Sequence, residues 1–67
     1  MKLQEIHESF VNGQRRQAVE QIQDYRIGPS DFFPDYLDYL HETYSQQESI
    51  QGYFADAVLS YFRILGR

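Results

Sequence analysis

The chain has no cysteine and no tryptophan, and only one methionine and two prolines among its 67 residues. Without cysteine there are no disulfides, thiolate zinc sites or iron–sulfur clusters, the usual staples of so short a chain. A single core below about 80 residues rarely supplies more than roughly 3–5 kcal/mol. The remaining stability is therefore expected from idealised helix packing or from self-association. Long apolar runs are missing as well. No stretch approaches the roughly 20 apolar residues of a membrane span, and Met1-Lys2-Leu3-Gln4-Glu5 lacks the apolar core of a signal peptide. The expectation is a soluble, cytoplasmic protein with no membrane contact.

Positive charge is absent from a long internal stretch. Lys2, Arg15, Arg16 and Arg26 balance Glu5, Glu8, Glu20 and Asp24 in the N-terminal third, but no Lys or Arg occurs between Ile27 and Phe62. That segment holds Asp31, Asp35, Asp38, Glu42, Glu48 and Asp56, and Arg63 and Arg67 bring the net charge to −4. A uniformly basic nucleic-acid-binding surface is excluded, because most of the length repels phosphate.

What remains is a composition of 42% hydrophobic and 24% charged residues, which fits a folded domain and not a disordered tail. Five phenylalanines and six tyrosines are many for this length, so rings must fill the core. Leu3, Ile6, His7, Phe10 and Val11 follow the i, i+3, i+4, i+7, i+8 spacing of one helix face. Asn12-Gly13 ends that helix, glycine being the natural left-handed residue after a helix. A second helix is expected from about 14 to 26, with Ala18, Val19, Ile22, Tyr25 and Ile27 inward. Gly28-Pro29-Ser30 is the strongest break. A third helix should then run over about 31–44, capped by Ser30 or Asp31, with Pro34 in its first turn. Phe33, Tyr36, Leu37, Leu40 and Tyr44 fall on its inner face. Ser45-Gln46-Gln47-Glu48 has the form of a capping box and opens a fourth helix over about 46–65, ending at Gly66 and folded back on the third as an antiparallel hairpin or a sharp corner. The fold class is thus all-α, one domain over 1–67: a compact bundle of three main helices plus a short N-terminal one at about 2–11.

Three sets of residues are candidate sites. In the fourth helix Ile50, Phe54, Ala57, Tyr61 and Ile64 form a coiled-coil-like seam, and Tyr53, Val58, Phe62 and Leu65 broaden it. One apolar face closes a small core, so two faces imply either a central helix wrapped by the other three or a second row packed on another copy of the chain. Gly52 suits either, since it permits close backbone approach. In the third helix Asp31, Asp35, Asp38 and Glu42 form an acidic stripe, flanked by Phe32 and Tyr39. Its carboxylates recur every 5–6 Å at a rise of about 1.5 Å per residue, comparable with phosphates on a strand. Such a stripe can occupy a nucleic-acid-binding groove of another protein or be an ordinary solvated face. At the start of the second helix Gln14, Arg15, Arg16 and Gln17, with Gln21 further on, resemble a recognition-helix entry, although this composition also suits any solvated helix.

Motifs that carry catalysis are missing. His7 and His41 sit in no metal-ligand spacing, and there is no G-x-S-x-G and no phosphate-cradling glycine loop. His7, on the apolar face of the first helix, is expected to be a partly buried structural residue. No enzyme activity and no cofactor is expected.

Two segments, Phe10-Val-Asn-Gly-Gln-Arg-Arg-Gln-Ala-Val-Glu-Gln-Ile22 and Asp31-Phe-Phe-Pro-Asp-Tyr-Leu37, resemble those of small accessory proteins of tailed-phage and prophage genomes. The first also resembles the F-x-x-G-x-x-x-x-A register of tetratricopeptide-like helix pairs, but no repeat follows at about 34 residues. The phage resemblance covers about half the chain. It implies an accessory protein that binds a host or phage protein, and it assigns no residue roles. The expected function is a non-enzymatic protein-binding module acting through helix–helix contacts, with a protein partner and homo-oligomer formation. Two alternatives are an acidic inhibitor that masks a nucleic-acid-binding surface and a DNA-binding regulator using Gln14, Arg15, Arg16 and Gln17, nucleic acid being the less expected partner.

Overall fold

The computed structural model describes residues 2–65, so the expected stop at Gly66 lies outside the described residues. Four helices follow one another: α1 (Leu3–Val11), α2 (Arg15–Gln23), α3 (Pro29–Thr43) and α4 (Gln47–Leu65). The fold is all-α. Two helices are short and two long, in place of the expected one and three. The difference lies in α2, which stops at Gln23 because the chain turns through Asp24 to Ile27 with Arg26 at φ 47°.

Each boundary has a local cause. Beyond α1 the Gly13 N–H donates to the Phe10 carbonyl and the Gln14 N–H to that of Ser9, with Gly13 at φ 81°. This is a Schellman closure, and it explains why Asn12-Gly13 suffices to reverse the chain. The bend after α2 places a non-glycine residue in the left-handed region. There the Arg26 guanidinium lies 5.5 Å from the Tyr25 ring centre and its Nη1 3.4 Å from Asp35 Oδ2.

The α3 boundary differs from expectation. Gly28, at φ 120° and ψ −153°, precedes the helix, and Pro29 opens it. Neither Ser30 nor Asp31 is the cap, and Pro34 lies inside the helix, one turn beyond the first. A proline at N1 sacrifices no hydrogen bond, whereas Pro34 removes one within the helix. At α4 the Ile50 N–H donates to Gln46 O, so Gln46 takes the position before the helix and Ser45 stands one residue ahead of it.

The core is a stack of rings and aliphatics drawn from all four helices. Ile6, Ala18, Val19, Ile22, Phe32, Tyr36, Leu40 and Ala57 are fully excluded from solvent, and Phe10, Tyr25 and Ile50 nearly so. Two inward assignments fail at helix ends: Val11 is 53% and Ile27 82% exposed. Val11 is the last residue of α1 and Ile27 lies in the turn, so neither has a helix facing it. The α3 inner face is also rotated. Phe32, Tyr36 and Leu40, at i, i+4 and i+8, are its buried row, while Phe33, Leu37 and Tyr44 are half-buried. The cause is that α3 packs on two sides, meeting the turn after α2 through Tyr25–Phe32 and α1 through Phe10–Tyr36, and meeting α4 through Phe33–Phe54 and Phe33–Tyr61. Phe33 near the start of α3 meets Tyr61 near the end of α4, and Tyr44 meets Tyr53 near the start of α4. The two long helices are therefore an antiparallel hairpin.

Candidate interaction surfaces

Helix α4 lies against α2 and α3 along one side and presents the other to solvent. Its seam residues divide accordingly. Ile50 and Ala57 are buried; Tyr53, Phe54, Val58, Tyr61 and Ile64 are half-buried; Phe62 and Leu65 are exposed. A central helix wrapped by the other three does not describe it, because only Ile50, Ala57 and Ser60 of its nineteen residues are buried. Leu59, absent from the expected seam, is 58% exposed, next to Phe62 at 60% and Leu65 at 39%. Leu59 belongs with Phe62 of the expected second row, since the two are i, i+3 neighbours on one helix face.

The solvent side of α4 has an order of its own. Glu48, Gly52, Ala55, Leu59 and Phe62 succeed one another at intervals of four, three, four and three residues, all exposed, with Arg63 beside Phe62. One face thus runs from an acid through two small residues to two large apolar ones and a base. Gly52 is not needed for packing within the chain: a Cβ placed there meets nothing within 4 Å.

Asp56 borders this face and is held by Arg15, with Arg15 Nε 3.2 Å from Asp56 Oδ1 and Nη2 3.3 Å from Oδ2. The ion pair joins the start of α2 to the middle of α4. It also engages one of the two arginines proposed for nucleic acid. Gln14, Arg16 and Gln17 are exposed, and the described salt bridges do not include Arg16. A cavity of about 300 Å³ beside the pair is lined by Arg15, Asp56, Leu59, Ser60, Arg63 and Ile64.

The acidic stripe of α3 is only partly free. Asp35 accepts the Tyr25 hydroxyl proton at 2.8 Å and lies near Arg26, and Asp31 is half-buried, while Asp38 and Glu42 are exposed. Phe32 does not flank the stripe at the surface. It is wholly buried, stacked 4.9 Å from Tyr36 at an interplanar angle of 21°. Tyr39, half-buried, does border the acids, and with Leu3, Tyr25, Arg26, Asp35, Asp38 and Glu42 it lines a second cavity of about 320 Å³.

His7 is the buried polar centre of the molecule. Nδ1 lies 2.8 Å from the Tyr36 hydroxyl and Nε2 2.7 Å from that of Tyr44. The rings of Tyr39 and Tyr53 stand edge-on to it at 5.5 and 5.0 Å. Burial pushes its pKa below the ordinary 6.5, against a smaller opposing effect of Glu8. A neutral imidazole donates at one nitrogen and accepts at the other, so one tyrosine accepts from the ring and the other donates to it. Burial raises both phenols, Tyr36 most strongly. Sequence reasoning placed His7 correctly as a structural residue but not its partners, which lie 29 and 37 positions away. Among the described residues no group of three or more His, Asp or Glu side chains is placed to hold a metal ion, and no helix is long and apolar enough to cross a membrane.

No family model matches this chain, and neither a curated protein nor a solved structure matches it.

Proposed function

We propose that this chain is a non-enzymatic protein-binding module of the cytoplasm, an accessory protein that self-associates through the solvent side of α4. The supporting observation is the exposure of Leu59 and Phe62, at 58% and 60%, on the longest helix of a domain this small. Large exposed apolar side chains grouped on one helix face mark contact surfaces more often than they occur at random. The resemblance to phage accessory proteins implies action by binding a host or phage protein and agrees with this reading. Light scattering coupled to size exclusion tests it. The chain should elute as a dimer or small oligomer at tens of micromolar, and Phe62→Asp should render it monomeric with its helicity intact. A wild-type chain that stays monomeric refutes self-association.

A second reading is favoured by Asp38 and Glu42, two exposed carboxylates beside the half-buried Tyr39 at the mouth of a cavity. Here α3 serves as an acidic inhibitor of a basic, nucleic-acid-binding protein surface. Replacing Asp35, Asp38 and Glu42 by their amides should weaken binding to a captured basic partner and flatten its salt dependence. Affinity indifferent to the change removes this reading.

A further inference from the structure

We infer that the partner of the α4 face is α4 of a second copy, laid antiparallel about a two-fold axis that crosses the exposed face at the height of Ala57 along the helix, so that Leu59 and Phe62 of each chain seat on Ala55 and Gly52 of the other. This rests on the self-association proposed above and specifies its geometry. In a two-fold interface the same patch serves both subunits, so the patch must complement itself when reversed. The α4 face does so. Reversal about Ala57 carries Phe62 onto Gly52 and Leu59 onto Ala55, each large side chain onto a small one.

Two independent features agree with that register. Gly52 costs helix propensity in mid-helix and leaves open space within its own chain, so its missing side chain is unexplained until a neighbouring ring fills the gap. Large residues opposite small ones are how facing helices interdigitate at close range. Charge is the second feature. Glu48 stands near the start of the face and Arg63 near its end, both exposed. Reversal brings Arg63 within one helical turn of the partner copy's acid, twice over by symmetry. A parallel pairing sets Glu48 beside its own copy and Arg63 beside its own copy, which repels.

Sedimentation equilibrium on the full chain and five variants tests the register. Gly52→Leu should weaken the dimer at least tenfold while the dilute chain melts at the same temperature or higher, because the new side chain has room within its own subunit. Glu48→Arg and Arg63→Glu should each weaken the dimer several-fold at low salt, and the double reversal should return it to within about twofold of wild type. The reversal is decisive because acid at a helix start and base at its end also suit the helix dipole. If the charges serve only the dipole, the double variant is the worst of the three. Should Gly52→Leu lower the melting temperature, the charge pair decides alone. A dimer abolished by Phe62→Asp but unchanged by Gly52→Leu, or a double reversal no better than the single ones, overturns the register and leaves self-association standing. A wild-type chain monomeric at tens of micromolar overturns both.

Discussion

Nδ1 of His7 lies 2.8 Å from the hydroxyl of Tyr36, a side chain with no solvent exposure at all. Neither group has water to fall back on. His7→Phe should therefore cost about 1–3 kcal/mol through the orphaned Tyr36 hydroxyl, and Tyr36→Phe a similar amount through the unpaired ring nitrogen. Removing both leaves neither end of that bond orphaned, and the loss of Nε2 by the half-buried Tyr44 hydroxyl is common to the single His7 variant and the double one. The double variant should be more stable than the sum of the single losses predicts, by about 0.5–3 kcal/mol. Urea denaturation of all four proteins measures the cycle, and additive losses would mean that the two groups do not share the bond.

Acid should loosen the fold through the same ring. Burial holds the folded pKa of His7 below 6.5, so between 6.5 and that lower value the unfolded chain binds a proton that the folded chain refuses. Its contribution is fully present above pH 6.5 and is lost as pH falls through that window. Thermal melts of wild type and His7→Gln from about pH 7.5 to 4.5 isolate it from the carboxylates common to both. The wild-type curve should fall more steeply below 6.5. Parallel curves would dismiss the buried imidazole as the cause.

Alkali should act through the phenols, with the opposite sign. Tyr25, Tyr36 and Tyr44 are all raised above the ordinary 10.0, first by burial, Tyr25 also by its bond to Asp35 and Tyr44 by neighbouring Tyr53. Groups raised on folding stabilise fully below pH 10 and lose that contribution as pH rises towards their folded values. The part of the phenolate absorbance that belongs to these three should appear in a late, cooperative step together with loss of helical circular dichroism. An absorbance change with no late component and with helicity intact throughout would defeat this account.

How far the sequence reveals this arrangement depends on the range of the interaction. Local rules locate α1 and its end at Asn12-Gly13, and the α3–α4 hairpin, to within a residue or two, because Schellman closure and helical periodicity are written in neighbouring positions. They mislead where tertiary packing decides. A one-sided reading of α3 puts Phe33 inside and Phe32 at the surface, yet α3 is flanked on two sides and Phe32 joins the expected Tyr36 and Leu40 in the buried row. The left-handed Arg26 is accompanied by an ion pair with Asp35, nine positions on, and nothing in the tripeptide around it announces the bend. The α4 face shows the same limit in reverse. The excess of apolar residues is legible, but which row faces solvent follows only from where α2 and α3 lie.

That shift in α3 changes which ring matters most. Phe32 is wholly buried against Tyr25, Phe33 and Tyr36, whereas Phe54 is half-buried. Phe32→Ala should cost about 3–5 kcal/mol, the range for a fully buried ring, and Phe54→Ala less. For a domain whose whole stability is of that order, the first variant should show little cooperative melting, while the second still unfolds as a unit. Equal losses in calorimetry would restore the face centred on Phe33.

Two glycines should respond to alanine with opposite signs. Gly28 stands at φ 120° and ψ −153°, a conformation in which an L side chain clashes with its own backbone, and the nearest atom to an added Cβ is the Gln23 carbonyl oxygen at an unstrained 3.9 Å. The penalty at Gly28 is thus torsional, about 1–3 kcal/mol, and no neighbouring side chain can relax it. Gly52 lies within α4 with open space around it. Alanine there restricts the unfolded chain and improves helix propensity, stabilising by up to about 1 kcal/mol. Melting both variants at a concentration too low for association separates backbone effects from any contact between copies. Stabilisation by Gly28→Ala would mean that the α2–α3 bend does not require its glycine, and destabilisation by Gly52→Ala that the α4 face is already occupied within the single chain.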